Sequence, residues 1–292
     1  MITINPEETK TKDLHQFLLG IVAPRPIAFV STVDENGVPN LAPYSFFNAF
    51  SSNPPIVVFS SNRRVLDNTT KDTLHNIEKT GEAVINAVSH SIVRQMAVSS
   101  IQFPRGVNEF EKSGLTPIPS DLVAPPRVKE SPAHMECRME EIKTLGKHGG
   151  AGHLIICRVL RVHLDENVVD DNRINPHKID LMGRMGRAYY TRASGDAIQT
   201  IVQPVTRLSI GFDQLPDHVK HSPNLTGNEL GLLAGLEKWP DKLEAREKLS
   251  DELLKRIDAA KGPFRIQSIH LLAKRSLGEG NREEAARILA NI

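Results

Sequence analysis

Residues 42–79 read APYSFFNAFSSNPPIVVFSSNRRVLDNTTKDTLHNIEK and hold the features that decide the fold. A hydroxyl- and amide-rich loop leads through Pro54-Pro55 into the apolar run 56–59, and a second polar loop, 68–73, precedes a helical pattern. Free backbone N–H groups and the positive end of a helix dipole attract anions. Because small polar side chains, a lysine and a helix start gather around one strand, the stretch predicts a site for a phosphate-bearing cofactor.

The segments around this stretch predict an antiparallel meander. Residues 27–33 are apolar and β-branched, and residues 38–44 form a second extended run. Asn36-Gly37 between them indicates a hairpin because both residues tolerate positive φ. Further strand patterns cover 82–88, 134–145 and 153–164, and short helical patterns cover 11–20, 70–79 and 89–98, the last with Ser89 as its N-cap. Six or so strands favour a closed antiparallel barrel, since closure removes exposed edges. An open α+β sandwich is the alternative.

The chain changes character in two other places. Residues 99–131 are rich in proline and predict a long surface excursion with little regular structure. Beyond residue 198 the pattern is helical, with a capping box at Thr226–Glu229 and apolar repeats at about 241–260, 266–273 and 285–289. We therefore predict a barrel domain at 1–198 and a helical C-terminal extension at 199–292. The chain end resembles one helical-hairpin repeat, but such repeats need about three copies to stabilise one another, so an accessory layer is favoured.

Composition argues against several classes of protein. The 36 basic and 35 acidic side chains leave a net charge of +1, so no bulk field favours nucleic acid or a membrane surface. No apolar run approaches the roughly 20 residues that cross a bilayer, and the first residues lack a signal peptide's layout, so we expect a cytoplasmic location. Cys137 and Cys157 are expected to be buried free thiols, and His218 with His221 lacks a third ligand, so we predict no metal site.

Several ordered blocks together resemble the flavin reductase-like family over about residues 10–195. They are PRPIAFVST at 24–32, the hairpin, NLAPYSFFNAFSSNPPIVVFSS at 40–61, KDTLHNIEKTGEAVIN at 71–86 and HLIICRVLRVH at 153–163. The resemblance implies an FMN-binding split barrel that forms a homodimer with FMN near the interface. It implies an NAD(P)H-dependent flavin reductase, in which hydride passes from NADH or NADPH to FMN, with a monooxygenase or another electron acceptor as partner.

The resemblance also assigns site residues. Segment 44–52 would follow the isoalloxazine edge, with ring contacts from Tyr44, Ser45, Phe46, Phe47, Asn48 and Ser51. The phosphate would lie against Ser60, Ser61, Arg63, Lys71 and Thr73, where a helix start and two cations favour an anion. The alternative interpretation makes the phenylalanines core residues, gives Asn48 a turn-capping role and treats Lys71-Asp72 as a solvated charge pair.

His153 matches a histidine that lies close to flavin and nicotinamide in related reductases, and a turn-capping role is its alternative. Arg158 stands where the family commonly has an acidic residue, which leaves the local electrostatics and the binding of pyridine nucleotide open. Arg184 is a candidate to reach the cofactor site of the partner subunit. Two other functions stay open: an FMN-bound, flavoredoxin-like electron carrier that does not use NAD(P)H directly, and a non-catalytic barrel with a helical interaction module.

Overall fold

The computed structural model describes residues 1–201 and 207–292, which form two compact units, 1–199 and 200–292. This division lies one residue from the predicted boundary, and the assignment of the units as separate domains stays a prediction. Among the described residues, no helix combines the length and apolar character that crossing a membrane requires.

The first unit is built mainly of strands. Its strands are β1 (Ala28–Val33), β2 (Pro39–Tyr44), β3 (Phe47–Ser52), β4 (Pro55–Asn62), β5 (Glu82–Asn86), β6 (Pro117–Ile118), β7 (Arg127–Val128), β8 (Ala133–Thr144), β9 (Gly152–Leu164), β10 (Val169–Asp170), β11 (Arg173–Ile174), β12 (Met182–Gly186) and β13 (Tyr189–Arg192). Its helices are α1 (Thr11–Ile21), α2 (Asp72–Thr80), α3 (Val93–Val98), α4 (Glu109–Ser113) and α5 (Pro176–Ile179).

Seven of these strands form one antiparallel sheet in the order β2-β1-β5-β8-β9-β4-β3. The two end strands follow each other in the chain, and the Ser60 N–H donates to the Phe46 carbonyl at 2.8 Å. The sheet curls into a barrel. The described residues show no ladder between its end strands β2 and β3, so the barrel is split along this line. The predicted antiparallel barrel is confirmed in this split form.

Alternation along the strands builds the barrel core. On β4, Val57 and Phe59 face inward, and their partners on β9, Cys157 and Ile155, face them across the ladder. Leu74 and Ile77 of α2 pack against the same core, and Gly81 ends that helix in the left-handed conformation at φ 70°. Both cysteines are buried and free, as predicted.

Two sequence predictions in this unit are wrong. Residues 47–52 form the edge strand β3 and not a loop. Most of its side chains are exposed, and the alternation of apolar and polar residues breaks at the register shift between Ala49 and Ser51, so the sequence did not indicate the pairing with β4. The predicted helix at 89–98 begins only at Val93, and the Ser89 hydroxyl bonds to Ser91 instead of capping it. The predicted excursion at 99–131 holds little regular structure beyond α4 and the short β6–β7 pair.

The second unit is helical, as its apolar periodicity predicts. Its helices are α6 (Asp217–Lys220), α7 (Gly227–Ala234), α8 (Lys242–Glu247), α9 (Asp251–Ala259), α10 (Arg265–Gly278) and α11 (Arg282–Leu289). The predicted capping box at Thr226 and Glu229 is present. The single helix predicted at 241–260 is wrong, because Ser250 caps a new helix by accepting the Leu253 N–H at 3.3 Å.

Candidate cofactor site

Ser60 and Ser61 lie near the end of β4 on opposite faces of the sheet, because side chains alternate along a strand. The Ser61 hydroxyl lies on the inner face, is buried, and has no hydrogen-bond partner among the described residues. The Ser60 hydroxyl bonds to Asn62 Oδ1 at 2.7 Å. Gly152 on β9 lets this pair approach, since a Cβ there would lie 2.7 Å from the Ser60 hydroxyl. The two predicted phosphate contacts therefore face different surroundings, and only Ser61 offers an unused hydroxyl.

Lys71 is the N-cap residue of α2, and its ammonium lies 4.6 Å from the centre of the Tyr44 ring. Within the described part of the chain it makes no ion pair; Asp72 follows it in the sequence, and Arg64 is the charge that affects its pKa. Burial, with repulsion from Arg64, lowers the pKa of Lys71. The structure therefore holds an unneutralised cation at the positive end of a nine-residue helix.

Thr73 lies in the first turn of α2 and is fully buried. Its hydroxyl accepts a hydrogen bond from Asn40 Nδ2 at 2.8 Å, and that amide also reaches Thr32 at 3.3 Å. The Asn76 amide donates to Thr32 at 3.0 Å, which completes a polar network between α2 and the sheet. The sequence analysis did not predict this network. The only feature in the sequence that indicates it is the presence of amides and hydroxyls on the meander and the helix.

The Tyr44 ring packs on Phe59 with ring centres 5.1 Å apart, and its buried hydroxyl has no hydrogen-bond partner among residues 1–201 and 207–292. Burial raises the pKa of Tyr44 to about 12, and the nearby hydroxyls of Thr73 and Ser61 oppose that rise. Tyr44, Ser61, Lys71 and Thr73 are thus brought together at one end of the barrel.

Arg63 and Arg64 are engaged by the loop between β4 and α2. Arg63 donates from Nε to Asn68 Oδ1 and from Nη2 to the Asn68 carbonyl, both at 2.8 Å. Arg64 donates from Nη1 to the Thr69 hydroxyl and to the Thr70 carbonyl, again at 2.8 Å. In this arrangement Arg63 shapes the loop, and a direct contact with a ligand would use the N–H groups of Nη1 or the second N–H of Nη2.

The predicted ring contacts lie on or just before β3. Phe47 packs partly against the barrel core, whereas Asn48 and Ser51 are exposed along the strand. Asn48 Oδ1 accepts the Ala49 N–H at 2.8 Å, so its Nδ2 group keeps its donors. A register shift between Ala49 and Ser51 leaves Phe50 as the extra residue, 69% exposed. This exposed strand presents polar groups along one open edge.

Ser45 and Phe46 join β2 to β3, and both contact Arg25. The Arg25 Nε lies 3.4 Å from the Ser45 hydroxyl, and its guanidinium lies 5.9 Å from the centre of the Phe46 ring. Phe46 also meets His15 edge to face at 6.2 Å. Burial, with a smaller effect of Arg25, lowers the pKa of His15. Sequence reasoning did not single out Arg25; an arginine enclosed by two prolines was the available signal.

His153 stands opposite Ser61 on β9 and faces the inside of the barrel. Its Nδ1 bonds to the Thr144 hydroxyl at 3.1 Å, and its buried Nε2 has no partner among the described residues. Burial lowers the pKa of His153, and Arg63 adds to that effect. The ring is therefore held in the neutral form with one free nitrogen, which suits a contact with a bound molecule as well as the fixing of β8 to β9.

Arg158 points away from this cluster. On β9 it alternates with the inward residues Ile155 and Cys157, and its Nε lies 2.5 Å from Glu140 Oε1 in an exposed ion pair. Its charge is therefore balanced on the outer surface and does not enter the barrel.

Arg184 lies in β12, stacks on Tyr190 at 4.5 Å and donates to the Arg187 carbonyl at 2.9 Å.

The residues at the β4–α2 junction fit a phosphate monoester. A buried unpartnered hydroxyl at Ser61, a second at Tyr44 and an unneutralised ammonium at Lys71 offer donors and positive charge beside a helix N-terminus. The exposed edge of β3 lies next to them, since Ser60 and Phe46 are hydrogen-bonded. This donor set matches a cofactor with a phosphate at one end and a flat polar ring at the other.

The chain also matches known proteins. Residues 22–190 match the model of the flavin reductase like domain. An uncharacterised protein of Aquifex aeolicus is 38% identical over 191 residues, which cover 65% of this chain and 95% of that protein. Nitrilotriacetate monooxygenase component B from Bacillus cereus superposes with a TM-score of 0.64 at 35% identity, covering 68% of this chain and 98% of the other.

A second solved structure agrees. The 2-nitrobenzoate 2-nitroreductase NbaA of Pseudomonas fluorescens superposes with a TM-score of 0.63 at 26% identity, covering 72% of this chain and 100% of that chain. The family match spans more than half of the described residues and coincides with the strand-built unit. The chain therefore belongs to the flavin reductase-like family.

Proposed function

We propose that this flavin-related oxidoreductase is an NAD(P)H-dependent FMN reductase. The observation that carries the proposal is the coincidence of the unpartnered Ser61 hydroxyl with the unneutralised Lys71 ammonium at the start of α2. A phosphate there would satisfy both groups, whereas a flavin without phosphate would leave both unpaired. This favours FMN over riboflavin as the ligand.

Each part of the site has its own task. Lys71, Ser61, Tyr44 and the first turn of α2 would hold the phosphate, and the edge of β3 would align the ring through backbone groups and the Asn48 amide. When bound, FMN supplies the chemistry of hydride and electron transfer, and the protein supplies orientation and exclusion of water. His153, neutral and with Nε2 free, would position the nicotinamide or the ring edge.

The Ser61 and Tyr44 hydroxyls are shielded from solvent. Lys71, lying over the Tyr44 ring, has a flexible four-carbon stem. We infer that binding moves the Lys71 ammonium from the ring face to the phosphate. The same proposal includes a homodimer with FMN near the interface and a partner monooxygenase. The similarity to nitrilotriacetate monooxygenase component B supports the partner monooxygenase.

The test is a visible spectrum of the purified protein, an FMN titration, and NADH and NADPH oxidation with FMN added. We expect FMN binding and oxidation of at least one nucleotide. Failure to bind FMN would overturn the whole proposal. Bound FMN that accepts electrons from a protein donor but from neither nucleotide would instead identify an electron carrier.

A further inference from the structure

Arg25 is a buried cation without an acidic partner. Only 4% of the residue is exposed, and no carboxylate of the described residues forms an ion pair with it. A guanidinium keeps its proton in proteins, and a buried charge without a counter-ion is costly. Burial, together with repulsion from Arg184, lowers the pKa of Arg25. The fold therefore maintains a positive charge whose compensation is incomplete.

Part of that compensation comes from the end of α1. Arg25 Nη1 donates to the carbonyls of Leu19 at 2.6 Å and Val22 at 2.5 Å, where the helix dipole is negative. The other terminal nitrogen, Nη2, is buried and has no partner in the described chain. Arg184 adds a second cation nearby, since the backbones of Arg25 and Arg184 are hydrogen-bonded in both directions at 3.0 and 2.9 Å.

The charge lies beside the segment that leads into the strand that we propose for the ring. Arg25 contacts Ser45 and faces the Phe46 ring, the two residues that lead into β3. An electrostatic interaction over a few ångströms is strengthened when one of the charges is buried, as Arg25 is. A group that becomes negative on the other side of this segment would therefore be stabilised by Arg25.

We propose that Arg25 is a positioning residue that stabilises the negative charge that two-electron reduction places on a flavin held by β3. The inference rests on the proposed function. Uptake of two electrons and one proton, delivered as hydride from a dihydronicotinamide or separately from dithionite and water, leaves the ring with one negative charge at N1 and the C2 oxygen. Arg25 acts through its field and through Ser45, so it favours the reduced state without binding the nicotinamide.

The experiment measures the midpoint potential of bound FMN, and its dissociation constants when oxidised and reduced, in the full chain. Arg25→Gln removes the charge, Arg25→Lys retains it, and neither reproduces the planar five-donor guanidinium. Arg138→Gln, which removes a surface charge paired with Glu82, is the control. We expect Arg25→Gln to weaken binding of reduced FMN relative to oxidised FMN by about tenfold or more, with a more negative potential. Arg25→Lys should retain most of the preference.

Equal potentials in the parent protein, Arg25→Gln and Arg25→Lys would overturn the inference, as would equal shifts in the two variants. If either variant does not fold, the parent holoprotein still decides. In a plot of midpoint potential against pH, the slope for one proton per two electrons should extend to a lower pH in the parent holoprotein than in free FMN. A change of slope at the pH of free FMN rejects the role of Arg25, whereas a parent protein that binds no FMN rejects the proposed function itself.

Discussion

Ser61 and His153 are direct partners across the β4–β9 ladder, and each carries a buried polar atom with no hydrogen-bond partner among the described residues. Their neighbours on the same inward face, Phe59 and Ile155, are fully buried and apolar. One end of the barrel core is therefore polar and unsatisfied. Because unpaired buried polar groups are destabilising, this end is expected to gain stability when a ligand supplies the missing bonds.

Ser61→Ala tests this relationship. We expect weaker FMN binding, by about tenfold, because a hydrogen bond to a charged group is lost. The apo-protein should keep or slightly raise its melting temperature, since the hydroxyl removed has no partner. Ser60→Ala is the matched control: it breaks the bond to Asn62 and should leave FMN affinity unchanged. The measurements are FMN titration and thermal unfolding of both variants. Equal FMN affinities of Ser61→Ala and Ser60→Ala would mean that the phosphate lies elsewhere.

Lys71→Met tests the cation at the start of α2. The substitution keeps the aliphatic stem over Tyr44 and removes the charge, so FMN affinity should fall by about 10- to 100-fold. Riboflavin, which lacks the phosphate, should bind the parent and the variant equally. Lys79→Met, at the exposed end of the same helix, serves as the control. A similar loss for riboflavin would mean that Lys71 supports the ring or the fold and not the phosphate.

Much of the barrel is predictable from its sequence, for reasons that differ between elements. The hairpin of β1 and β2 follows from the β-branched and apolar content of β1 together with Asn36-Gly37, and β9 follows from its long apolar run. The edge strand β3 does not, because most of its side chains are exposed and the alternation of apolar and polar residues breaks at the register shift between Ala49 and Ser51. Likewise, apolar periodicity continues through Ser250, so only its local cap divides α8 from α9.

The candidate site divides in the same way. A lysine before a helix and polar residues beside a strand were visible in the sequence, and the structure brings Lys71, Thr73 and Ser61 together with Tyr44. Which serine faces inward depends on the register of β4 and could not be predicted from two adjacent residues. Arg25 is separated from Ser45 by 20 residues, so its contact follows only from the tertiary fold.

His153→Gln tests the predicted catalytic position. The amide can keep one bond to Thr144 but cannot reproduce an imidazole nitrogen, so we expect a lower kcat or a higher KM for the nicotinamide with FMN still bound. His148→Gln, in the exposed glycine turn, is the control. The measurements are steady-state kinetics and an FMN titration. Unchanged kinetics with reduced thermal stability would show that His153 only joins β8 to β9.

Arg158→Gln should have almost no effect on flavin chemistry. The Arg158 charge is paired with Glu140 on the outer surface, and exposed ion pairs contribute about 0–1 kcal/mol. We therefore expect unchanged FMN affinity and nucleotide preference, with at most a small fall in melting temperature. Glu140→Gln provides the reciprocal control. A changed preference between NADH and NADPH in Arg158→Gln alone would show that this surface contacts the nucleotide.

The helical unit should lose stability in mild acid. His270 is 1% exposed, with Nδ1 at 2.6 Å from the Ser222 hydroxyl and Nε2 at 3.2 Å from His218 Nδ1. Burial lowers the pKa of both histidines, and Asp217 partly opposes this for His218. A base with a lowered folded-state pKa favours the neutral form, so the stability is fully present above the unfolded pKa of about 6.5 and falls below it, where the unfolded chain binds more protons.

Hydrogen exchange of the α10 amides in the full chain measures this effect. After correction for intrinsic exchange, protection at about pH 5 should be several-fold lower than at about pH 8. His270→Gln should lower protection at both values and reduce the difference between them, because the buried ionisable group is gone. His221→Gln, which replaces an exposed histidine, should behave like the parent. Equal protection of the parent at the two pH values would show that the His218–His270 pair accepts protons without opening the bundle.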